Sequence, residues 1–77
     1  MFTVYAIKSL IRSYIYVGLT NSLTRRYKQH NDGKEVTTRT YRPFNLIYSE
    51  VFNDRQLARI REKYLKSGIG KEFLKRI

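Results

Sequence analysis

Two strand-forming runs stand five residues apart at the start of this chain, and a helix-forming segment follows the second almost without a connection. Residues 2–8, "FTVYAIK", alternate in polarity and are rich in β-branched and aromatic side chains, which suit a half-buried pleated surface. "SLIRS" (9–13) is a short turn, and "YIYVGL" (14–19) is a second run of the same kind. Strands joined by so short a turn pair antiparallel, because parallel pairing needs a crossover of about a dozen residues or more. An antiparallel hairpin therefore comes first, and the remaining residues must cover it.

Gly18 is expected to break the second strand and turn the chain into a helix capped by Thr20 or Asn21. On that helix Leu23 and Tyr27, four apart, face the core, while Arg26 and His30 form a second pair at the same spacing on an adjoining face. "NDGK" (31–34) ends the helix, with Gly33 as its C-cap. Residues 34–43 read as a polar, threonine-rich loop closed by Pro43, and "FNLIYSEVF" (44–52) reads as a third strand. "NDRQLARIREKYLKSG" (53–68) predicts a helix capped by Asn53 or Asp54, with Leu57, Ile60, Tyr64 and Leu65 as its apolar stripe and Gly68 as its stop. "KEFLKRI" (71–77) predicts a last short helix. The order β-β-α-β-α-α gives an α+β fold: one domain over residues 1–77, a small three-stranded antiparallel sheet covered by helices.

Charge narrows the partners. Sixteen Lys and Arg against six Asp and Glu leave a net charge of +10, the electrostatic footprint of a protein that binds nucleic acid. Eleven aromatic residues (seven Tyr, four Phe) agree with that reading, since bases stack on such rings. An apolar content of 42% is ordinary for a folded domain and too high for a disordered basic tail. No apolar run approaches the ~20 residues of a membrane helix, and no secretory segment is visible, so the expected setting is cytoplasmic. Cysteine is absent, which excludes a disulfide framework and any zinc site built on thiolates.

The inventory for chemistry is short. A single histidine, one glutamate set in a basic helix and several tyrosines near arginines exclude a histidine-rich metal cage and offer no serine triad. Phosphodiester cleavage fits what is left. It needs an attacking water, a divalent ion on a carboxylate and a cation on the scissile phosphate. A bend at Gly18 would bring Arg26 and His30 over the sheet face that carries Tyr5 and Tyr16, and alternation puts Tyr14 on the same face as Tyr16.

The ordered motifs resemble those of the GIY-YIG nuclease superfamily over nearly the whole chain. "VY" at 4–5 stands where the first motif has "IY", with Thr3 in the place of its glycine, and "YVG" at 16–18 stands for "YIG". Arg26 follows Gly18 by eight residues, the family spacing of the catalytic arginine, with His30 one helical turn later. Glu62, in "ARIREKYLKSG", matches the metal-binding glutamate, and the C-terminal half is similar to small stand-alone members related to the N-terminal nuclease domain of the excinuclease C subunit. The resemblance implies a metal-dependent endonuclease that hydrolyses DNA with one Mg²⁺ or Mn²⁺, in a repair setting. It implies catalytic roles for Tyr5, Tyr16, Arg26, His30 and Glu62, with Glu62 as the metal ligand. Arg25, Lys28, Lys34, Arg39 and Arg42 are the expected nucleic-acid contacts. Without a second domain to supply targeting, specificity is low or borrowed from a protein partner. Two other readings carry the same charge: an inactive nucleic-acid-binding module of this fold, and a small RNA-binding protein. Glu62 separates nuclease from binder, because binding phosphate alone has no use for a carboxylate.

Overall fold

The structure is a computed structural model that describes residues 1–77. Strands β1 (Phe2–Ser9), β2 (Ile15–Thr20) and β3 (Phe44–Phe52) form one antiparallel sheet in the order β2-β1-β3. Helix α1 (Leu23–Asn31) follows β2, a 3₁₀ turn (Arg39–Tyr41) precedes β3, and helices α2 (Arg55–Lys66) and α3 (Gly68–Arg76) close the chain. The fold is α+β in the expected order.

Helices cover both faces of β1, so four of its residues in succession, Val4 to Ile7, are buried. Alternation then divides the core in two. Val4, Ala6, Ile15 and Val17 meet Ala58 and Leu65 of α2 and Leu74 of α3 on one face. Tyr5, Ile7 and Phe44 pack on the other with Tyr14, Tyr16, Leu23, Tyr27 and Tyr41. The first face is aliphatic; the second is built of rings.

Several expected boundaries move, each for a local reason. Gly18 does not break β2. It pairs with Tyr5 inside the strand, which runs on to Thr20. The N-cap of α1 is Ser22, because Thr20 Oγ1 is already taken, accepting from the Ser22 amide at 3.0 Å. Asp32 caps the C-terminus, and Gly33 follows with φ of 77°, the left-handed step that glycine takes without strain. Asp54 caps α2, its side chain accepting from the Gln56 amide at 2.7 Å. Gly68 does not stop that helix: Ser67 ends α2 and caps α3, which begins at Gly68, three residues earlier than expected.

The apolar stripe of α2 is also rotated. Ala58 and Leu65 are buried, whereas Leu57, Ile60 and Tyr64 are 54%, 65% and 41% exposed. Neighbouring residues point ~100° apart on a helix, so choosing Ala58 over Leu57 turns the whole surface. A small residue lets the helix axis come close to the sheet, and that approach decides the rotation. Glu62 stands four residues after Ala58 and three before Leu65, and so shares their inward stripe.

Candidate active site

Tyr5 lies at the centre of the ring-lined face because Gly18 opposite it has no side chain. A Cβ at Gly18 would stand 2.5 Å from the Tyr5 hydroxyl oxygen, inside contact distance. Helix α1 is tied down over this face at its C-terminal end. Tyr27 donates to the Phe44 carbonyl at 2.8 Å, and the Asn31 Oδ1 accepts from the Phe44 amide at 2.6 Å. Those bonds hold His30 against the strands.

His30 is completely enclosed. Its Nε2 lies 2.8 Å from the Tyr5 hydroxyl and its Nδ1 lies 2.8 Å from the Thr38 hydroxyl. Tyr5 is 1% exposed, and His30 and Thr38 are fully buried, so a three-member polar chain crosses the interior with no partner wasted. The Tyr16 ring packs 4.9 Å from the imidazole and 6.3 Å from the Tyr5 ring, centroid to centroid, and remains partly open to solvent.

Burial pushes the Tyr5 hydroxyl well above its ordinary range, and the neighbouring Tyr16 adds to the effect; the Arg26 guanidinium pulls the other way without winning. Burial likewise pushes His30 down, and the positive charge of Arg26 pushes it further. At neutral pH Tyr5 is therefore a protonated phenol and His30 a neutral imidazole. The phenol donates to Nε2, which leaves the Nδ1 proton to be donated to Thr38. Both shifts keep the proton on the phenol, so His30 can accept it only as Tyr5 receives another in exchange.

Arg26 sits at the rim with its side chain 33% exposed. It donates to the Glu35 carboxylate at 3.0 Å and to the Gln29 amide oxygen at 3.1 Å. Arg25, Lys28, Lys34, Arg39 and Arg42 are all exposed on α1 and the segment that follows it; Lys28 pairs with Asp32, and Arg42 donates to the Arg39 carbonyl.

Glu62 takes a different position from the other four. It belongs to α2, the layer over the aliphatic face, and lines a groove with Phe2, Leu19, Thr20, Asn21, Arg55 and Arg59 at the far end of β2. Its side chain is 14% exposed and pairs with Lys66 at 3.1 Å. No group of three or more His, Cys, Asp or Glu side chains converges anywhere in the molecule. One carboxylate in an oxygen-bearing groove suits a hard divalent ion that keeps most of its water, and does not suit zinc. Arg55 and Arg59 line the same groove and Lys66 pairs with the carboxylate, so any divalent ion there would have to displace or sit beside these cations.

The structure brings Tyr5, Tyr16, Arg26 and His30 together from β1, β2 and α1, and it adds two residues that sequence reasoning missed. Thr38 gave no signal, being one of three threonines in an aperiodic segment. Glu35 did give one: it is the only acidic residue between 34 and 43, among cations that would otherwise repel one another.

The description "GIY-YIG catalytic domain" matches residues 1–74. The chain belongs to the GIY-YIG family. Among its relatives, the UPF0213 protein YazA of Bacillus subtilis is 41% identical over 63 residues, 80% of this chain and 63% of that protein. A UPF0213 protein of Clostridium perfringens is 41% identical over 64 residues, 82% of this chain and 68% of its own length. Another from Staphylococcus haemolyticus is 36% identical over 75 residues, 96% of this chain and 90% of the relative. This chain therefore spans somewhat under two thirds of the Bacillus protein. No solved structure matches it. No helix of this GIY-YIG domain is long and apolar enough to cross a membrane.

Proposed function

We propose that this GIY-YIG domain is a metal-dependent endonuclease acting on DNA. The observation that carries the reading is the meeting of Arg26 with the hydrogen-bonded Tyr5–His30 pair, residues from segments 25 apart in sequence, on one face of a strongly basic molecule. A guanidinium beside a proton-accepting pair is what an in-line attack on a phosphodiester requires.

The roles follow from exposure. Arg26, at the rim, exchanges Glu35 for the scissile phosphate and holds two of its oxygens, which a planar fork does well. Tyr16, partly open, is the tyrosine that touches substrate. Tyr5 lies behind it: its hydroxyl oxygen takes the proton of the attacking water as its own proton passes to His30 Nε2, so no phenolate is left in the interior; Thr38 fixes the ring of His30 throughout. Glu62 would hold the divalent ion, which supplies Lewis-acid charge to the phosphate when bound. Arg25, Lys28, Lys34, Arg39 and Arg42 contribute affinity without sequence preference.

The competing reading, a binding module without turnover, draws on one feature: Glu62 is paired with Lys66 and lies over the other sheet face. Incubating purified protein with plasmid and with labelled single-stranded DNA, in Mg²⁺, Mn²⁺ or EDTA, separates the two. Metal-dependent nicking lost in Glu62→Gln is expected. Binding with no cleavage under any metal would leave only the module.

A further inference from the structure

The hairpin end of the sheet carries a second concavity that the proton relay does not use. Lys8, Ser13, Tyr14, Ile15, Lys71 and Lys75 line a cleft of about 360 Å³. Three ammonium groups meet there from β1 and α3, and no carboxylate lines the wall. Lys8 is exposed and makes no ion pair. Lys71 is held in place, its Nζ donating to the Ile15 carbonyl at 3.0 Å. Lys75 reaches Glu72 only at 3.7 Å, with both side chains more than half exposed, so its charge is barely offset. Like charges gathered around a concavity repel one another and focus a positive potential into it. An anion entering the cleft would relieve that repulsion.

The place of the cleft says which anion. It opens at Ile15, the first residue of β2, while the Glu62 groove opens at Thr20, the last. Strand β2 pairs only with β1, so its outer edge is free between them. Five strand steps span ~17 Å, and one strand of B-form DNA advances ~3.4 Å per phosphate, so the two openings lie about five nucleotides apart. Tyr14 and Tyr16, both partly open, stand along the same edge. We infer that one nucleic-acid strand runs along the outer edge of β2, with a phosphate about five nucleotides from the Glu62 groove docked among Lys8, Lys71 and Lys75. The inference rests on the nucleic-acid part of the reading above and not on turnover.

Fluorescence anisotropy in EDTA tests it, using fluorescein-labelled hairpin DNA whose B-form stems are three base pairs long (the three-mer) and twelve base pairs long (the twelve-mer). Lys8→Gln combined with Lys75→Gln removes two exposed charges from the cleft. Lys63→Gln combined with Arg76→Gln removes two exposed charges elsewhere. The cleft pair should lose about tenfold in affinity for the twelve-mer and nothing for the three-mer, and its salt slope should fall by ~1.8, two contacts at ~0.9 each. The control pair should lose less than about twofold, and equal melting temperatures confirm intact folding. Equal losses in both pairs, the same loss on the three-mer, or competition by inorganic pyrophosphate as strong as by the twelve-mer would overturn the inference. The nuclease reading fails separately: an inert wild type in Mg²⁺ and Mn²⁺ that keeps this length dependence removes the enzyme and leaves the cleft.

Discussion

The two faces of the sheet solve the same packing problem with opposite materials. Under α2 and α3, Val4, Ala6, Ile15, Val17, Ala58, Leu65 and Leu74 exclude water and need nothing else. Under α1, the chain buries a phenol, an imidazole and a hydroxyl, and each must find a partner at 2.8 Å. Burying an unpaired polar group costs about 1–3 kcal/mol, so this second face is stable only as a complete set. An aliphatic face tolerates a swap of shape. A polar one tolerates almost none, and that intolerance keeps a proton-accepting pair in register.

Mutations should break this contrast in opposite ways. The largest effect on stability belongs to the aliphatic face: Leu65→Ala should cost about 2–5 kcal/mol in thermal unfolding while leaving the activity of the folded fraction nearly unchanged. A comparable loss of activity per folded molecule would mean that the faces are coupled. On the other face, Arg26→Ala should lower single-turnover cleavage by at least ~100-fold with little change in melting, since it removes one oriented charge-stabilising donor. Arg25→Ala, directed ~100° away, should weaken binding mildly and leave the chemical step intact. Arg26→Lys should rescue poorly, because a point charge lacks the fork. Equal losses at 25 and 26 would reduce both to a diffuse basic patch.

His30 tests the polar set itself. His30→Ala should cost about 1–3 kcal/mol, because Tyr5 and Thr38 lose their shared partner inside the core. Tyr5→Phe, His30→Leu and Thr38→Val together, which remove the polar set as a unit, should cost less than His30→Ala alone; a larger cost would contradict the pairing argument.

The same face should dictate the pH profile of folding. His30 is held below its ordinary 6.5, so the unfolded chain binds the proton first as pH falls. Its contribution is intact above 6.5 and is lost as pH drops from there through the folded value. Tyr5 is held above its ordinary 10.0, so its contribution is intact below 10 and lost as pH rises past it. Denaturant titrations should show both limbs. Tyr5→Phe should flatten the alkaline one, whereas Leu65→Ala should lower the plateau and shift neither limb. The smallest effect is expected from Glu35→Gln, which frees Arg26: DNA affinity should rise by about twofold, the scale of a partly exposed ion pair. Weaker binding would show that Glu35 positions the arginine instead of masking it.

What could be read from the sequence divides along the same line. Strand alternation and helix periodicity place all three strands and all three helices, because both depend on apolar spacing. The spacing of Tyr5, Tyr16, Gly18, Arg26 and His30 also gives their meeting on one face. The rotation of α2 escapes that reasoning, since Ala58 enters the core for its small size and hydropathy ranks Leu57 and Ile60 above it. The role of Gly18 is misjudged for a related reason: a glycine in a strand marks either a bend or a close approach, and only the ring of Tyr5 opposite decides for the second. Thr38 and Glu35 lie in a stretch with no period at all, where the three-dimensional partner is the only signal.

The strand order has a consequence for how the molecule is made. β1 precedes both other strands in the chain and is the central one in the sheet, and its second neighbour arrives late: Tyr5 pairs with Ser49, 44 residues later. The β1–β2 hairpin forms locally in microseconds, but closing so long a loop carries an entropy cost that only β3 and its packing offset. Until then Tyr5 has a neighbour on one side only, and Phe44, which anchors Tyr27 and Asn31 of α1, is missing. The buried Tyr5–His30–Thr38 chain is therefore among the last parts of the molecule to acquire its geometry, and a nascent or truncated chain ending before residue 44 carries the family's motif residues at 4–30 without the strand that holds them together.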